Sequence, residues 1–164
     1  MPVNFDDIGS MTMENVTRPP LAPLGTYVFA VTKIPAWSDV DSEKGHWRSL
    51  TFMCRGVRPT EDVDMDAFQA FGDAKNILVN KSFMFTKDQD DKAGFDQTMF
   101  NLKQFLGDAG LGLSLVDPDN NGIPLNLLLN NSVNKQFLGV LKYRENKNNA
   151  DEKFHDLGKT APLQ

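Results

Sequence analysis

Trp47 opens a short stretch of sequence that combines an aromatic ring with the three guanidinium groups of Arg48, Arg55 and Arg58. An aromatic ring can stack on a nucleobase, and a guanidinium group can pair with a phosphate. These residue types therefore predict a surface that could hold a single-stranded nucleic acid. An ordinary half-buried strand, in which Trp47 packs beneath a loop, explains the same residues equally well.

A second stretch repeats this combination near the end of the chain, where Tyr143 stands between Lys142 and Arg144. Lys81 adds a positive charge within a third, apolar stretch. We take these four residues, together with the four of the first stretch, as candidate contacts to a nucleic acid. Many β-proteins interleave aromatic residues with lysine and arginine, so the pattern has low specificity.

Residues 117–122 resemble part of a metal site. They match the first half of a calcium loop, with oxygen-bearing side chains at positions 1, 3 and 5 and glycine at position 6. Position 12 of such a loop should be a bidentate glutamate, but it is Leu128 here. We therefore interpret this stretch as a turn rich in Asp and Asn, and we predict no metal and no cofactor.

Catalytic patterns are absent from the sequence. His46 and His155 lie far apart and flank no nucleophile, and the single Cys54 excludes zinc ligation by several cysteines. No phosphate-binding glycine loop, nucleophile elbow or zinc-protease motif occurs. We therefore expect a protein that is not an enzyme. An active site assembled from distant carboxylates remains a third alternative.

The composition limits the classes of protein that fit. The chain has 164 residues, 40% of them hydrophobic, and a formal net charge of -5. It contains no apolar run near the roughly 20 residues that span a bilayer, and its first residues lack the pattern of a signal peptide, so we expect a cytoplasmic location without membrane contact. The negative charge argues against a protein that wraps duplex DNA, but it allows a local basic groove.

The central element is expected to be a strand over residues 47–58. Leu50, Phe52 and Cys54 alternate toward one face, and Trp47, Met53 and Arg55 share the other, as the period of two in a strand requires. Residues 36–46 are expected to form a loop. Further strands are predicted over 26–34, 76–86, 135–144 and 152–157, a main helix over 95–109, and short helices over 65–71 and 124–131.

This order predicts a mainly β protein with α-helices, in the form of a β-barrel of about five antiparallel strands with one main helix and one or two short ones. The prolines before residue 24 predict an extended N-terminal arm over residues 1–23. Residues 24–164 are then a single domain, which is long enough to bury a core of its own.

Four motifs, in this order, resemble a phage-encoded family associated with single-stranded DNA binding and with recombination or replication. They are Leu24-Gly-Thr-Tyr27, Leu50-Thr-Phe52, Asn101-Leu-Lys-Gln-Phe-Leu106 and Gln136-Phe-Leu-Gly-Val-Leu-Lys142. The similarity covers about residues 21–163. It implies an oligonucleotide/oligosaccharide-binding (OB) barrel whose helix plugs one end, with replication or recombination proteins as further partners.

The leading hypothesis is therefore a non-catalytic, sequence-tolerant single-stranded DNA-binding protein of phage DNA replication or recombination. A virion structural protein, such as a capsid decoration or tail subunit, suits the acidic charge and the proline-rich arm equally well. A homo-oligomer is compatible with either hypothesis.

Overall fold

A computed structural model of the chain describes residues 5–10, 12–15, 19–111 and 123–163. Within these ranges it contains six strands, three α-helices and three short 3-10 helices. The strands are β1 (Gly25–Val31), β2 (Ala36–Ser42), β3 (Gly45–Pro59), β4 (Leu78–Thr86), β5 (Gln136–Asn146) and β6 (Asn149–Ala161). The helices are α1 (Met65–Phe71), α2 (Lys92–Asp108) and α3 (Leu125–Asn130), and the 3-10 helices are Phe5–Ser10, Met13–Asn15 and Ala74–Asn76.

The strand β3 is the centre of the sheet, as its alternating sequence predicts. Leu50, Phe52 and Cys54 are buried in the core, whereas Met53 and Arg55 are exposed. Its first half pairs with β2 and its second half with β1. Because β4 pairs with the middle of β3 and overlaps both partners, β4 must occupy the opposite edge. The single long strand β3 therefore pairs with three other strands, β1, β2 and β4.

The strands form one antiparallel sheet in the order β2-β3-β1-β5-β6, with β4 attached to β3. The predicted class, mainly β with α, is confirmed. The expected loop over residues 36–46 is wrong, because Ala36–Ser42 forms β2 and makes a hairpin with β3. This strand raises the count from the predicted five to six.

The sheet is not closed into the predicted barrel. Among the described residues, β4 pairs only with β3, and β6 pairs only with β5. Helix α2 bridges the two strands instead, since the Thr98 hydroxyl donates to the Met84 carbonyl of β4 and the Thr160 hydroxyl of β6 donates to Asp108. A helix that contacts both strands replaces the ladder that would have closed the barrel.

The core lies on the concave side of the sheet, and Phe105 of α2 is central to it. Its ring lies 4.9 Å from that of Phe52 and 5.0 Å from that of Phe137, so it joins the two halves of the sheet. The predicted apolar stripe of this helix is buried only in part. Leu102, Phe105, Leu106 and Ala109 are buried, but Phe95 is 43% exposed and Met99 is 37% exposed.

The segment before β1 joins the core. Within the stretch expected to be extended, Phe5–Ser10 and Met13–Asn15 form 3-10 turns. Ala22 is fully buried, its N–H donates to the Nε2 atom of His155, and its carbonyl accepts the hydroxyl of Tyr143. The last residues before β1 therefore cover one end of the sheet.

Candidate nucleic-acid interface

Trp47 lies on the convex face of β3, opposite Val40 of β2 and Thr86 of β4. It is half-buried, because its indole lies across Gly45 of the same strand: a Cβ atom on Gly45 would stand only 3.0 Å from the ring. The conformation of Gly45 (φ 149°) also favours glycine. Trp47 is thus held in place by its own strand, with part of its ring open to solvent.

Arg48 lies on the other face of β3, as successive residues of a strand must. Its guanidinium group stands 5.1 Å from the centre of the Trp37 ring, and that ring is 5.7 Å from Phe85. The structure therefore does not bring Arg48 and Trp47 together. Arg48 contacts a tryptophan that we did not take as a site residue from the sequence.

The two remaining arginines of β3 are both exposed. Arg55 shares the convex face with Trp47 and is paired with Leu78 of β4. Arg58 lies beyond a bulge between Val28 and Phe29, at the end of β3 that pairs with β1. Trp47 and Arg55 are eight residues apart along an extended strand, which is a distance of about 26 Å. They therefore lie near opposite ends of the convex face of β3.

Tyr143, one of the residues predicted to contact a nucleic acid, is only half-buried, and its hydroxyl donates to the Ala22 carbonyl at 2.5 Å. Burial raises the pKa of this phenol. Its neighbours Lys142 and Arg144 are exposed on the opposite face of β5. Arg144 instead places its guanidinium group 5.7 Å from the centre of the Phe154 ring of β6.

A groove of about 1040 Å³ runs between the unpaired edges of β4 and β6. It brings together two predicted residues, the half-buried Lys81 and the exposed Arg144, which are distant in sequence. Lys81 also places its ammonium group 5.6 Å from the centre of the Phe83 ring. The residues that sequence reasoning missed are the other side chains of this groove, chiefly Met53, Phe71, Leu78, Asn80, Lys153 and Phe154.

The middle of the β3–β4 face carries a row of hydroxyl groups. The hydroxyl of Thr51 lies 2.9 Å from that of Ser82 across the two strands and 3.4 Å from that of Ser49. Hydroxyl groups can donate to phosphates, and they can donate to or accept from base edges, without a fixed charge. This row extends from the side of Trp47 toward the groove, where Ser82 is part of the lining.

Charges around the interface are segregated. Lys81, Arg144 and Lys153 line the groove, with Asp156 as the acidic residue among its lining. The β2–β3 hairpin holds the opposite charge, which is partly neutralised by a lysine. The Nζ atom of Lys87 lies 3.0 Å from Oδ1 of Asp39 and 3.7 Å from Oδ1 of Asp41.

The hydrogen bonds of this hairpin shift two pKa values. The hydrogen bond from His46 lowers the pKa of the Asp41 carboxyl. The hydrogen bond to Asp39 raises the pKa of Lys87. The acidic hairpin contrasts with the groove, whose lining holds three lysine or arginine side chains and one carboxylate, in a chain of net charge -5.

No cluster of three His, Cys, Asp or Glu side chains within the ranges that the structure covers could hold a metal ion. Residues 117–122, the stretch compared with a calcium loop, lie outside the described residues. No helix of the described residues is long and apolar enough to cross a membrane.

Comparison with known proteins adds no relative. A scan of the chain against protein-family models found no match, and a search of curated proteins found none either. The geometry of the β3–β4 face and of the groove therefore carries the functional argument.

Two of the missed groove residues had a signal in the sequence. Lys153 and Phe154 stand in the stretch that we expected to form the closing strand, and they combine a charge with a ring. Nothing in local sequence, however, indicates that β6 would face β4 across an open gap. Their place in the site depends on the pairing of strands that are far apart along the chain.

Proposed function

We propose that the protein is a non-catalytic, sequence-tolerant single-stranded DNA-binding module with an OB-like arrangement of strands. The observation that carries this proposal is the continuity of the surface. The convex face of β3 and β4, with Trp47 and Arg55, leads through Met53 and Leu78 into the groove that holds Arg144 and Phe154. Single-strand binders need this combination of rings for bases and cations along a path.

The order of the elements supports the OB-like description. β1 and β2 follow one another along β3, and together they correspond to a single bent first strand. β3 and β4 then correspond to the second and third strands, α2 to the helix that follows them, and β5 and β6 to the last two. OB folds bind oligonucleotides on the face of strands two and three, among other surfaces, and the β3–β4 part of the candidate interface lies on the corresponding strands.

Within this proposal, Trp47 and Phe154 stack on bases, while Arg55, Lys81, Arg144 and Lys153 contact phosphates. Arg58 and Lys142, which are exposed at the margins, add positive charge. Tyr143 and Arg48 have structural partners, Ala22 and Trp37, and we assign them no direct contact. A role in phage replication or recombination, with partners from that machinery, follows from the resemblance of the four sequence motifs.

A virion structural subunit is the second candidate, and one observation favours it. Helix α2 exposes three large apolar side chains, Phe95, Met99 and Phe100, the last of which is 55% exposed. Exposed apolar residues on one element are typical of a surface that contacts another protein. Recovery of the protein in purified particles, without affinity for nucleic acid, would favour this second function.

The proposal is tested by a pair of charge reversals. Arg144→Glu places a negative charge in the groove, whereas Lys103→Glu makes the same change of net charge on exposed α2, outside the groove lining. We expect Arg144→Glu to weaken binding of fluorescein-labelled oligo-dT at least about tenfold more than Lys103→Glu, measured by fluorescence anisotropy at low salt. Equal effects would mean that net charge alone, rather than the groove, controls binding.

A further inference from the structure

The edge of β4 that faces the groove exposes backbone hydrogen-bonding groups. The Gly56 N–H donates to the Ile77 carbonyl, and the Lys87 N–H donates to the His46 carbonyl. These two bonds fix the phase of the antiparallel ladder between β3 and β4, in which alternate residues of a strand point toward its partner. The N–H and carbonyl groups of Leu78, Asn80 and Ser82 must therefore point away from β3, into the groove.

No strand in the described part of the chain pairs with this edge, and Thr98 of α2 covers it only at the Met84 carbonyl, outside the groove lining. β6 lies across the groove and pairs only with β5. Pro19 and Pro20 border the groove, but prolines have no N–H group with which to form a ladder. The residues of this edge whose backbone points outward, Leu78, Asn80 and Ser82, are uncharged, and Leu78 is 59% exposed. Lys81 is the one charged side chain of β4.

We propose that the free edge of β4 binds an acidic polypeptide segment in extended conformation by strand addition. A row of alternating donors and acceptors is matched by another polypeptide backbone, whereas the phosphates of a nucleic acid can only accept. The segment is proposed to be acidic because of charge complementarity. Three basic side chains, Lys81, Arg144 and Lys153, flank the edge, against one acidic side chain, Asp156. This inference goes beyond the proposed function and does not require it.

The probe for this site is a fluorescein-labelled peptide with alternating Glu and Val, capped at each end by Thr. A matched peptide, N-methylated at its six central residues, keeps the charge but cannot donate to the edge. We expect N-methylation to weaken binding at least about fivefold, the effect of losing one main-chain hydrogen bond. A peptide with Lys in place of Glu is expected to bind more weakly still.

The protein side of the test uses Asn80→Pro and Asn80→Ala. Asn80→Pro removes an N–H that points into the groove and leaves the ladder to β3 intact, which an edge strand tolerates. Asn80→Ala removes the side chain and keeps that N–H. We expect the proline variant alone to lose at least about fivefold in peptide affinity, with thermal melting used to check that both variants fold.

Binding of oligo-dT to the same variants separates this site from the proposed function. The inference predicts that the two variants bind oligo-dT alike. Equal binding of the N-methylated and unmodified peptides would show that charge attraction alone holds the peptide, and would overturn strand addition. Absence of peptide binding, or a loss by Asn80→Pro of affinity for oligo-dT but not for the peptide, would also overturn it.

Discussion

Trp47 and Trp37 lie on opposite faces of the hairpin that joins β2 to β3. Trp47 belongs to the convex face that leads to the groove, whereas Trp37 packs on Phe85 beneath the guanidinium group of Arg48. The proposed interface therefore assigns base stacking to one tryptophan only. This difference allows each ring to serve as the control for the other.

We predict that Trp47→Ala keeps the fold and loses about 1–3 kcal/mol of binding free energy for oligo-dT, which is typical of one base on one aromatic ring. Trp37→Ala should change that affinity by less than about 0.5 kcal/mol, the usual effect of a substitution away from the contact. Paired binding isotherms measure both effects. A larger loss with Trp37→Ala would place the stacking surface on the concave side of the hairpin.

The buried phenol of Tyr27 predicts that the stability of the protein depends on pH at the alkaline end. Burial is the largest cause that raises the pKa of its phenol to about 12, and its hydroxyl donates to the Pro23 carbonyl at 2.6 Å. The unfolded chain ionises near the ordinary value of 10.0. Because the folded state favours the neutral phenol, its contribution to stability is complete below pH 10 and is lost as the pH rises toward 12.

The free energy of unfolding should therefore fall between pH 10 and pH 12, and it should fall less steeply in Tyr27→Phe. Cys54 and Tyr143 also have raised pKa values, but both remain in the variant, so the difference between the two proteins isolates Tyr27. Urea unfolding at a series of pH values measures this difference. Parallel pH dependences would contradict the assignment.

Two glycines test the local structure of two elements, the β2–β3 hairpin and the helix α2. Gly45 has a φ of 149° and lies under the Trp47 ring, so Gly45→Ala should cost about 1 kcal/mol or more. Gly107 lies in α2 with open space where a Cβ would stand, so Gly107→Ala should stabilise the protein by about 0.5–1 kcal/mol. Urea unfolding should give opposite signs, and the same sign for both would contradict this description of the hairpin or of α2.

Local periodicity was sufficient to predict the elements whose partners lie close by. The alternation around Phe52 and the helical spacing around Phe105 gave β3 and α2 nearly at their observed bounds. β2 was missed because Asp39 and Asp41 make its sequence polar, and only its pairing with β3 makes it a strand. The open edge between β4 and β6 could not be predicted, since it depends on how strands distant in sequence approach each other.

For the site residues too, local periodicity determines some features and contacts between distant parts of the sequence determine the others. That Arg48 turns away from Trp47 follows from the period of two in any strand, although we grouped the two residues by composition. The structural role of Tyr143 could not be predicted, because it depends on Ala22, which lies far away in sequence and packs over the same end of the sheet. The meeting of Lys81 with Arg144 in one groove likewise needs the complete sheet.

At the scale of the whole molecule, the proposed binding of single-stranded DNA by a chain of net charge -5 requires a local positive surface. In this proposal the groove and the β3–β4 face supply that surface, while the acidic hairpin of β2 and β3 carries its own neutralising lysine. Affinity that depends on such a surface must weaken as salt screens its charges and as the release of each counterion into the solution gains less entropy.

The most direct test is the affinity for oligo-dT and for a duplex of equal length, measured by fluorescence anisotropy over a series of salt concentrations. We predict binding to oligo-dT at low salt, weaker binding to the duplex, and a linear fall of log K with log[salt], with a slope of about -0.7 for each neutralised phosphate. Affinity for oligo-dT that does not change with salt, or no affinity at low salt, would contradict the assignment of this surface to single-stranded DNA.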